Sequence, residues 1–278
     1  YDFVRATIMI LSGVSLIGTN QSIIYYSGVL NSKKSLQSIK KIYTKMATMT
    51  MAICLLFVLG YSTLTEQIVN AAFSKPEAHA LILKSIAALF FYTITMLNID
   101  TLRALNKTIS SELYRNIIRY TPIFAFSIIL YFTKHQEWLI EAFLASFLLL
   151  SLITLIHVGV LFKKLNLSST NEYSFSFSQI LTRSYPMALS AIAYFVMQSI
   201  DVIILTAYEG FESIAYYSVA VKLATVTALA LMSVNVVIAP KIAEIYSNND
   251  FERLNKLIND SARIIFIISL PILTLLFI

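Results

Sequence analysis

Long apolar runs alternate along the chain with short polar connectors. A run of about 20 apolar residues is long enough to cross the hydrocarbon layer of a bilayer as a helix. Eight runs approach or exceed this length: Ala6–Leu30, Met46–Thr65, Leu81–Leu102, Ile117–Phe132, Trp138–Phe162, Ser184–Tyr208, Ser213–Ala239 and a run that starts at Ile264. The pattern therefore predicts an all-α polytopic membrane protein with about eight transmembrane helices.

Composition supports this class. The chain has 58% hydrophobic and 13% charged residues, with a mean hydropathy of +0.75, whereas soluble domains carry about 25% charged residues. The one cysteine, Cys54, lies inside an apolar run, which predicts a packing role and excludes an intrachain disulfide. We find no nucleotide-binding, hydrolase or glycine-rich phosphate motif, so we predict neither an enzyme nor a cofactor.

Lysine and arginine cluster in alternate connectors, which by the positive-inside rule face the cytoplasm. These cytoplasmic cations are Lys33, Lys34, Lys40, Lys41 and Lys45; Arg103, Lys107, Arg115 and Arg119; Lys163, Lys164 and Arg183; and Lys241, Arg253, Lys256 and Arg263. The formal net charge of +6 is then an orientation signal, and we predict no nucleic-acid partner. At the cytoplasmic end of the third run, Asp100 and Arg103 are expected to form an ion pair.

Two cytoplasmic connectors resemble each other and indicate an internal repeat. Asn31–Lys45 and Asn248–Arg263 both begin with polar residues, carry two aliphatic residues three positions apart, and end on a cation. Because both face the cytoplasm, the repeats are parallel, a known transporter plan. We predict an N-terminal lobe over 1–165 that lacks its first helix, a cytoplasmic linker over 166–183, and the start of a C-terminal lobe over 184–278 that continues beyond Ile278.

Several motifs in the last third of the chain resemble a known family. They are SYPMALS from Ser184, SIDVIIL from Ser199, IAYYSVAVKL from Ile214 and APKIAEIY from Ala239. Together they are similar to the second-half signature of polysaccharide and O-antigen (Wzx-type) flippases of the multidrug/oligosaccharidyl-lipid/polysaccharide (MOP) exporter superfamily. The resemblance is sharpest from Pro186 to Tyr246 and implies a MATE-like bundle of two lobes around a central cavity.

The same resemblance implies a function in O-antigen, lipopolysaccharide or other surface-polysaccharide biosynthesis. An isoprenoid-pyrophosphate-linked oligosaccharide would be turned across the bacterial cytoplasmic (inner) membrane by alternating access. The implied partners are this lipid-linked oligosaccharide, membrane lipid, H⁺ or Na⁺ as a coupling ion, and glycosyltransferases and a glycan polymerase.

Charged and amide side chains inside the apolar runs are the candidate site residues. Charges in apolar spans are costly and are functional candidates by default. The predicted cavity residues are Arg5, Lys222, Asp201, Asn20, Gln21, Gln198 and Asn235. Each has a structural alternative: Lys222 and Asp201 neutralise each other, Arg5 snorkels to the interface, and the amides only join helices by hydrogen bonds.

Three other functions compete with glycan-lipid transport. A MATE-type drug or cation antiporter of the same superfamily should favour acidic and aromatic groups, whereas the buried charges here lean cationic through Arg5 and Lys222 against Asp201. A lipid II flippase is the second alternative. A membrane scaffold that transports nothing is the third, and it would tolerate substitution of Arg5 and Lys222.

Overall fold

The computed structural model describes residues 1–32, 38–63, 66–73, 77–164, 174–247 and 250–276. All regular structure in these ranges is helical. The helices are α1 Asp2–Leu16, α2 Thr19–Ser32, α3 Ile39–Ser62, α4 Glu66–Phe73, α5 Ala78–Ala104, α6 Thr108–Leu113, α7 Thr121–Thr133, α8 Leu139–Lys164, α9 Phe177–Met197, α10 Ile200–Tyr208, α11 Phe211–Ser247 and α12 Phe251–Leu276. A π-helical turn, Tyr114–Ile118, lies between α6 and α7, and a 3-10 turn, Gln136–Trp138, precedes α8.

Six helical stretches of the described chain are long and apolar enough to span a membrane, or seven if the bent pair α1 and α2 is one span. The six are Ile39–Ser62, Ala78–Ala104, Thr108–Thr133, Gln136–Lys164, Phe177–Met197 and Phe251–Leu275. The prediction of an all-α polytopic membrane protein is confirmed. The predicted count of eight exceeds this number, and the remaining run, Ser213–Ala239, lies in α11, where many side chains fall outside the described residues.

Several helices continue beyond the predicted apolar runs into polar sequence. Arg115 and Arg119, which were assigned to a connector, lie inside the helical stretch Thr108–Thr133. Arg183 lies within α9, and much of the polar sequence after Ala239 is also helical, since α11 ends at Ser247 and α12 begins at Phe251. Helices in membrane proteins readily continue past the apolar layer, because only the buried part must be apolar.

The chain divides into two compact units, residues 1–209 and 210–278. In the first unit, α5 is the central helix and packs against α1, α2, α3 and α8. More than half of its apolar window, 56%, is buried, against 33% or less for the other five candidate spans. In the second unit, α11 packs against α12. The predicted division into lobes at 166–183 stays a prediction; α9 and α10 lie in the first unit, where α9 contacts α1 and α2.

The break between α1 and α2 turns the chain by 41°. Ile17 and Gly18 both adopt left-handed conformations, with φ of 45° and 68°. The predicted continuous run Ala6–Leu30 is therefore bent, and the β-branched Ile17 is held where such residues are seldom found. An ideal Cβ built on Gly18 would lie 2.5 Å from the carbonyl oxygen of Ser184 on α9. The missing side chain is what lets the two backbones meet.

A seam of polar contacts continues this meeting of α2 with α9. The hydroxyls of Ser22 and Ser184 lie 2.6 Å apart, and the Tyr26 hydroxyl donates to the Gln179 carbonyl at 3.0 Å. The guanidinium of Arg183 lies 4.0 Å from the centroid of the Tyr25 ring. Small residues and interhelical hydrogen bonds hold helices together where lipid supplies no hydrophobic driving force. This α2–α9 seam fixes α9 within the first unit.

A buried amide ties three helices of the first unit together. The Tyr43 hydroxyl on α3 donates to Asn98 Oδ1 on α5 at 2.6 Å, and Asn98 Nδ2 donates to Thr154 Oγ1 on α8 at 3.0 Å. Asn98→Ala removes the acceptor of the Tyr43 hydroxyl and one of the hydrogen bonds of Thr154, whose hydroxyl still donates to the Leu150 carbonyl. We therefore expect the free energy of unfolding to fall by about 1–2 kcal/mol. Reversible unfolding in detergent micelles, followed by circular dichroism, measures this loss.

Asn116→Ala is the matched control for Asn98→Ala. Asn116 is exposed, and its amide donates only to Glu112 one turn away at 3.0 Å. We expect its substitution to change the unfolding free energy by less than about 0.5 kcal/mol. Equal losses for the two variants would contradict a structural role of Asn98 between helices.

Candidate functional site

A small cavity in the first unit brings together two arginines and three tyrosines. Helix α1, α5, the junction before α7, and α8 line it with Tyr1, Arg5, Ile8, Met9, Tyr92, Arg119, Tyr120, Ile123, Phe143, Ser146 and Phe147. We call it the arginine cavity. The space open to the centre of a water molecule is about 30 Å³. A cavity of this size holds a water or two and excludes anything larger in this conformation.

Arg5 is the one sequence-predicted residue that lines this cavity. It lies on the first turn of α1 and is half-buried, and its Nε lies 3.9 Å from Asp2 Oδ1. That distance is too long for a hydrogen bond. The Nε–H is buried and has no hydrogen-bond partner among the described residues. A buried donor without a partner is uncommon and costly, and it marks a place where a ligand or water would bind.

Arg119 is the second cation of the cavity, and the sequence did not point to it. Its Nη2 donates to the hydroxyl of Tyr120 at 2.5 Å, and its guanidinium lies 4.8 Å from the centroid of that ring. Within the described part of the chain, Arg119 forms no ion pair with a carboxylate. An arginine charge is permanent. Asp2 offsets the charge of Arg5 in part, so the cavity keeps an excess of positive charge that a bound anion would balance.

A second polar cluster lies beside the cavity, which we call the Asp100 cluster. The Asp100 carboxylate is buried, with 4% exposure. It pairs with Arg115 Nη2 on the π-helical turn and accepts a hydrogen bond from Asn20 Nδ2 on α2 at 3.2 Å. The expected pairing of Asp100 with Arg103 was wrong: Arg103 is exposed, and the ion pair forms with Arg115, which the chain after α5 brings back against the Asp100 carboxylate.

The remaining predicted residues of the first unit lie apart from these clusters or at their edge. Asn20 is half-buried and belongs to the Asp100 cluster, while Gln21 beside it is exposed. Gln198 is exposed at the break between α9 and α10. Asp201 is half-buried on the first turn of α10, where its Oδ1 accepts the Val202 N–H at 2.9 Å. The structure thus places Arg5 and Asn20 in polar clusters of the bundle.

Lys222 and Asn235 belong to the second unit. Both lie on α11, where Lys222 is exposed and the side chain of Asn235 is outside the described residues. Their predicted role in a shared cavity, and the predicted pairing of Lys222 with Asp201, stay predictions.

The last third of the chain resembles a known protein family. Residues 186–278, the last third of the chain, match the MatE family model. No curated protein and no solved structure matches the chain. The matched segment contains the motifs that resemble the MOP exporter superfamily, so this third of the chain is similar to multi-pass membrane transporters, and the match names no substrate.

Proposed function

We propose that the protein turns isoprenoid-pyrophosphate-linked oligosaccharide across the bacterial cytoplasmic membrane by alternating access. One observation carries the choice of an anionic substrate. The arginine cavity places Arg5 and Arg119 inside a bundle of membrane helices, and no carboxylate is among the described residues that line it. Arg5 has a carboxylate, Asp2, at 3.9 Å, and Arg119 has none among the described residues, so the two guanidinium groups together leave an excess of positive charge. Such an excess favours an anionic headgroup and disfavours a cation.

The chemistry of the cavity suits a pyrophosphate. A guanidinium offers several N–H donors in a planar fork that matches two phosphate oxygens at once. The buried Nε–H of Arg5 has no hydrogen-bond partner within the described ranges, and the ring hydroxyls of Tyr92 and Tyr120 add further donors. Each hydrogen bond to a charged group is worth roughly 1.5–3 kcal/mol. The cavity therefore supplies both charge and directional donors for a phosphate group.

The size of the cavity supports a transport cycle. Space for a water or two cannot admit a pyrophosphate, so the helices around Arg5 and Arg119 must separate before the substrate enters. Such opening and closing is what alternating access requires. In the proposed cycle, Lys222, Asp201, Asn20, Gln21, Gln198 and Asn235 supply further contacts to the phosphate, the sugars or a coupling H⁺ or Na⁺. The energy comes from that ion gradient or from consumption of the product by a glycan polymerase.

A drug or cation antiporter of the same superfamily is the second candidate, because the MatE match does not distinguish between the two substrate classes. Such a protein would bind its substrates through carboxylates and aromatic faces. The arginine cavity would repel an organic cation, and the buried Asp100 carboxylate is already neutralised by Arg115. Charge therefore favours the anionic substrate over the cationic one.

The proposed function is tested in the source bacterium by deleting the gene and restoring it. We expect the deletion to abolish surface glycan and to accumulate lipid-linked oligosaccharide on the cytoplasmic leaflet, and the full-length protein to reverse both effects. The susceptibility to cationic drugs, measured in the same strains, should not change. Increased drug susceptibility on deletion with unaltered surface glycan would overturn the proposal in favour of the antiporter.

A further inference from the structure

Two arginines follow each other along one side of the helix that runs from Thr108 to Thr133. Arg115 and Arg119 are four residues apart, roughly one turn or 6 Å along the axis. The backbone N–H of Arg119 donates to the Tyr114 carbonyl at 3.1 Å, the five-residue step of the π-helical turn. Such turns are frequent at functional sites. Arg119 lines the arginine cavity, and Arg115 is the next cation toward Thr108.

Tyr92 is the residue of α5 that lines the arginine cavity together with Arg5 and Arg119. Asp100 lies eight residues later on the same helix, about two turns away. The arginine cavity and the Asp100 cluster are therefore neighbours along α5, with Arg115 at their border.

The hydrogen bonds of the Asp100 cluster are incomplete. Arg115 binds Asp100 through Nη2, but its Nε is buried and has no hydrogen-bond partner among the described residues; Glu112 Oε1 lies 4.0 Å from it. The Oδ1 of Asn20 is likewise buried without a partner. If the network served only to stabilise the fold, we would expect these atoms to form hydrogen bonds, because an unpaired buried polar atom lowers the stability of the folded state. About a third of the Arg115 side chain, 35%, is also exposed, so one part of the guanidinium is free to meet another group.

We propose that Arg115 is a second ligand for the anionic headgroup, and that Asp100 is the counter-ion that holds Arg115 while no anion is present. The inference rests on the proposed function and deepens it. The pyrophosphate enters from the cytoplasmic end, where it first competes with Asp100 for Arg115. It then passes to Arg119, which lies about one helical turn further into the membrane. Asp100 keeps its hydrogen bond from Asn20 when Arg115 is released. The carboxylate prevents an uncompensated cation in the membrane interior before the substrate arrives.

The test measures binding of inorganic pyrophosphate to the purified full-length protein in detergent by isothermal titration calorimetry. Asp100→Asn keeps the shape of the side chain but removes the competing charge, so we expect pyrophosphate to bind about tenfold more tightly. Arg115→Gln should weaken binding. The double variant Asp100→Asn/Arg115→Gln should bind as weakly as Arg115→Gln, because the gain needs the released guanidinium.

Two outcomes overturn the inference. Affinity that is unchanged or weaker in a folded Asp100→Asn protein shows that Asp100 does not compete with the anion. A gain that persists in the double variant shows that Arg115 is not the released ligand. Should Asp100→Asn fail to fold, Arg115→Lys decides. Arg115→Lys keeps the positive charge, so its affinity for pyrophosphate should lie within a few-fold of that of the unaltered protein, whereas Arg115→Gln should bind more weakly. Equal affinities of Arg115→Lys and Arg115→Gln would reject the role of Arg115 as a ligand.

Failure of the proposed function gives a different result. Arg119→Gln and Arg5→Gln should each weaken pyrophosphate binding if the arginine cavity is the primary site. Suppose that both variants bind pyrophosphate as the unaltered protein does, while Asp100→Asn still binds more tightly through Arg115. That result would reject the arginine cavity as the primary site and would support the competition between Asp100 and the anion. No pyrophosphate binding by the unaltered protein would reject both.

Discussion

Replacing Arg5 and Arg119 together by alanine is expected to abolish glycan export while the protein remains folded in the membrane. Each guanidinium supplies charge-assisted hydrogen bonds worth roughly 1.5–3 kcal/mol to the phosphate, or about 10- to 150-fold in binding. Loss of both should lower transport by at least about a hundredfold. The measurement is the rate at which lipid-linked oligosaccharide appears on the outer leaflet of proteoliposomes, with the amount of reconstituted protein determined in the same samples.

Charge and shape are separated by conservative variants. Arg5→Lys and Arg119→Lys keep the charge but lose the planar fork, so we expect each to retain a measurable fraction of transport. Arg103→Ala is the matched control, because Arg103 is an exposed arginine of α5 that does not line the arginine cavity. Transport at the unaltered rate by the Arg5→Ala/Arg119→Ala protein would rule out the arginine cavity as the headgroup site.

Gly18→Val is expected to prevent accumulation of folded protein. Gly18 has a φ of 68°, which a β-branched residue rarely adopts, and an added Cβ would lie 2.5 Å from the Ser184 carbonyl oxygen and 2.6 Å from the Ala188 nitrogen. Both contacts are with backbone atoms of α9, so neither is relieved by a rotamer change. The loss should reach several kcal/mol, since backbone strain and overpacking each cost about 1–3 kcal/mol. Size-exclusion chromatography of detergent extracts measures the folded fraction.

Gly28→Ala is the control for Gly18. Gly28 lies within α2, and an added Cβ there meets no atom within 4 Å. Replacing a helical glycine by alanine stabilises by roughly 0.5–1 kcal/mol, so the folded fraction should stay the same or rise. If Gly18→Val accumulated as well as Gly28→Ala, the bend between α1 and α2 would not depend on the contact with α9.

The long apolar runs predicted where the helices are, because hydrophobic length is a strong and local signal. The predicted run Leu81–Leu102 lies within α5, and Trp138–Phe162 lies within Gln136–Lys164. The bend at Ile17 could not be predicted from the length or hydrophobicity of the run. A single glycine in an apolar run is common in membrane helices, and only the backbone of α9 pressed against Gly18 explains why the chain turns there.

Only part of the site could be predicted. A charged residue in an apolar run is visible in the sequence, but the residue with which it forms an ion pair is not. Arg5 is the only cation of α1, so the sequence alone indicated it as a candidate. Arg119 and Arg115 were read as one cationic connector with Arg103 and Lys107, since the alternation of positive charge along the chain explained all four. Only tertiary contacts distinguish the two arginines. Arg115, on the π-helical turn, pairs with Asp100, whereas Arg119 has no carboxylate partner among the described residues.

The α2–α9 seam also constrains how this protein can diverge. Gly18, just before α2, and Ser22 on α2 both meet Ser184 of α9: an added Cβ at Gly18 would lie 2.5 Å from the Ser184 carbonyl oxygen, and the two serine hydroxyls are 2.6 Å apart. Enlarging one of these positions alone would push α2 and α9 apart. We therefore expect homologues to keep small residues at these three positions and to vary more freely at Gln21 and Gly28, which are exposed on α2 away from the seam.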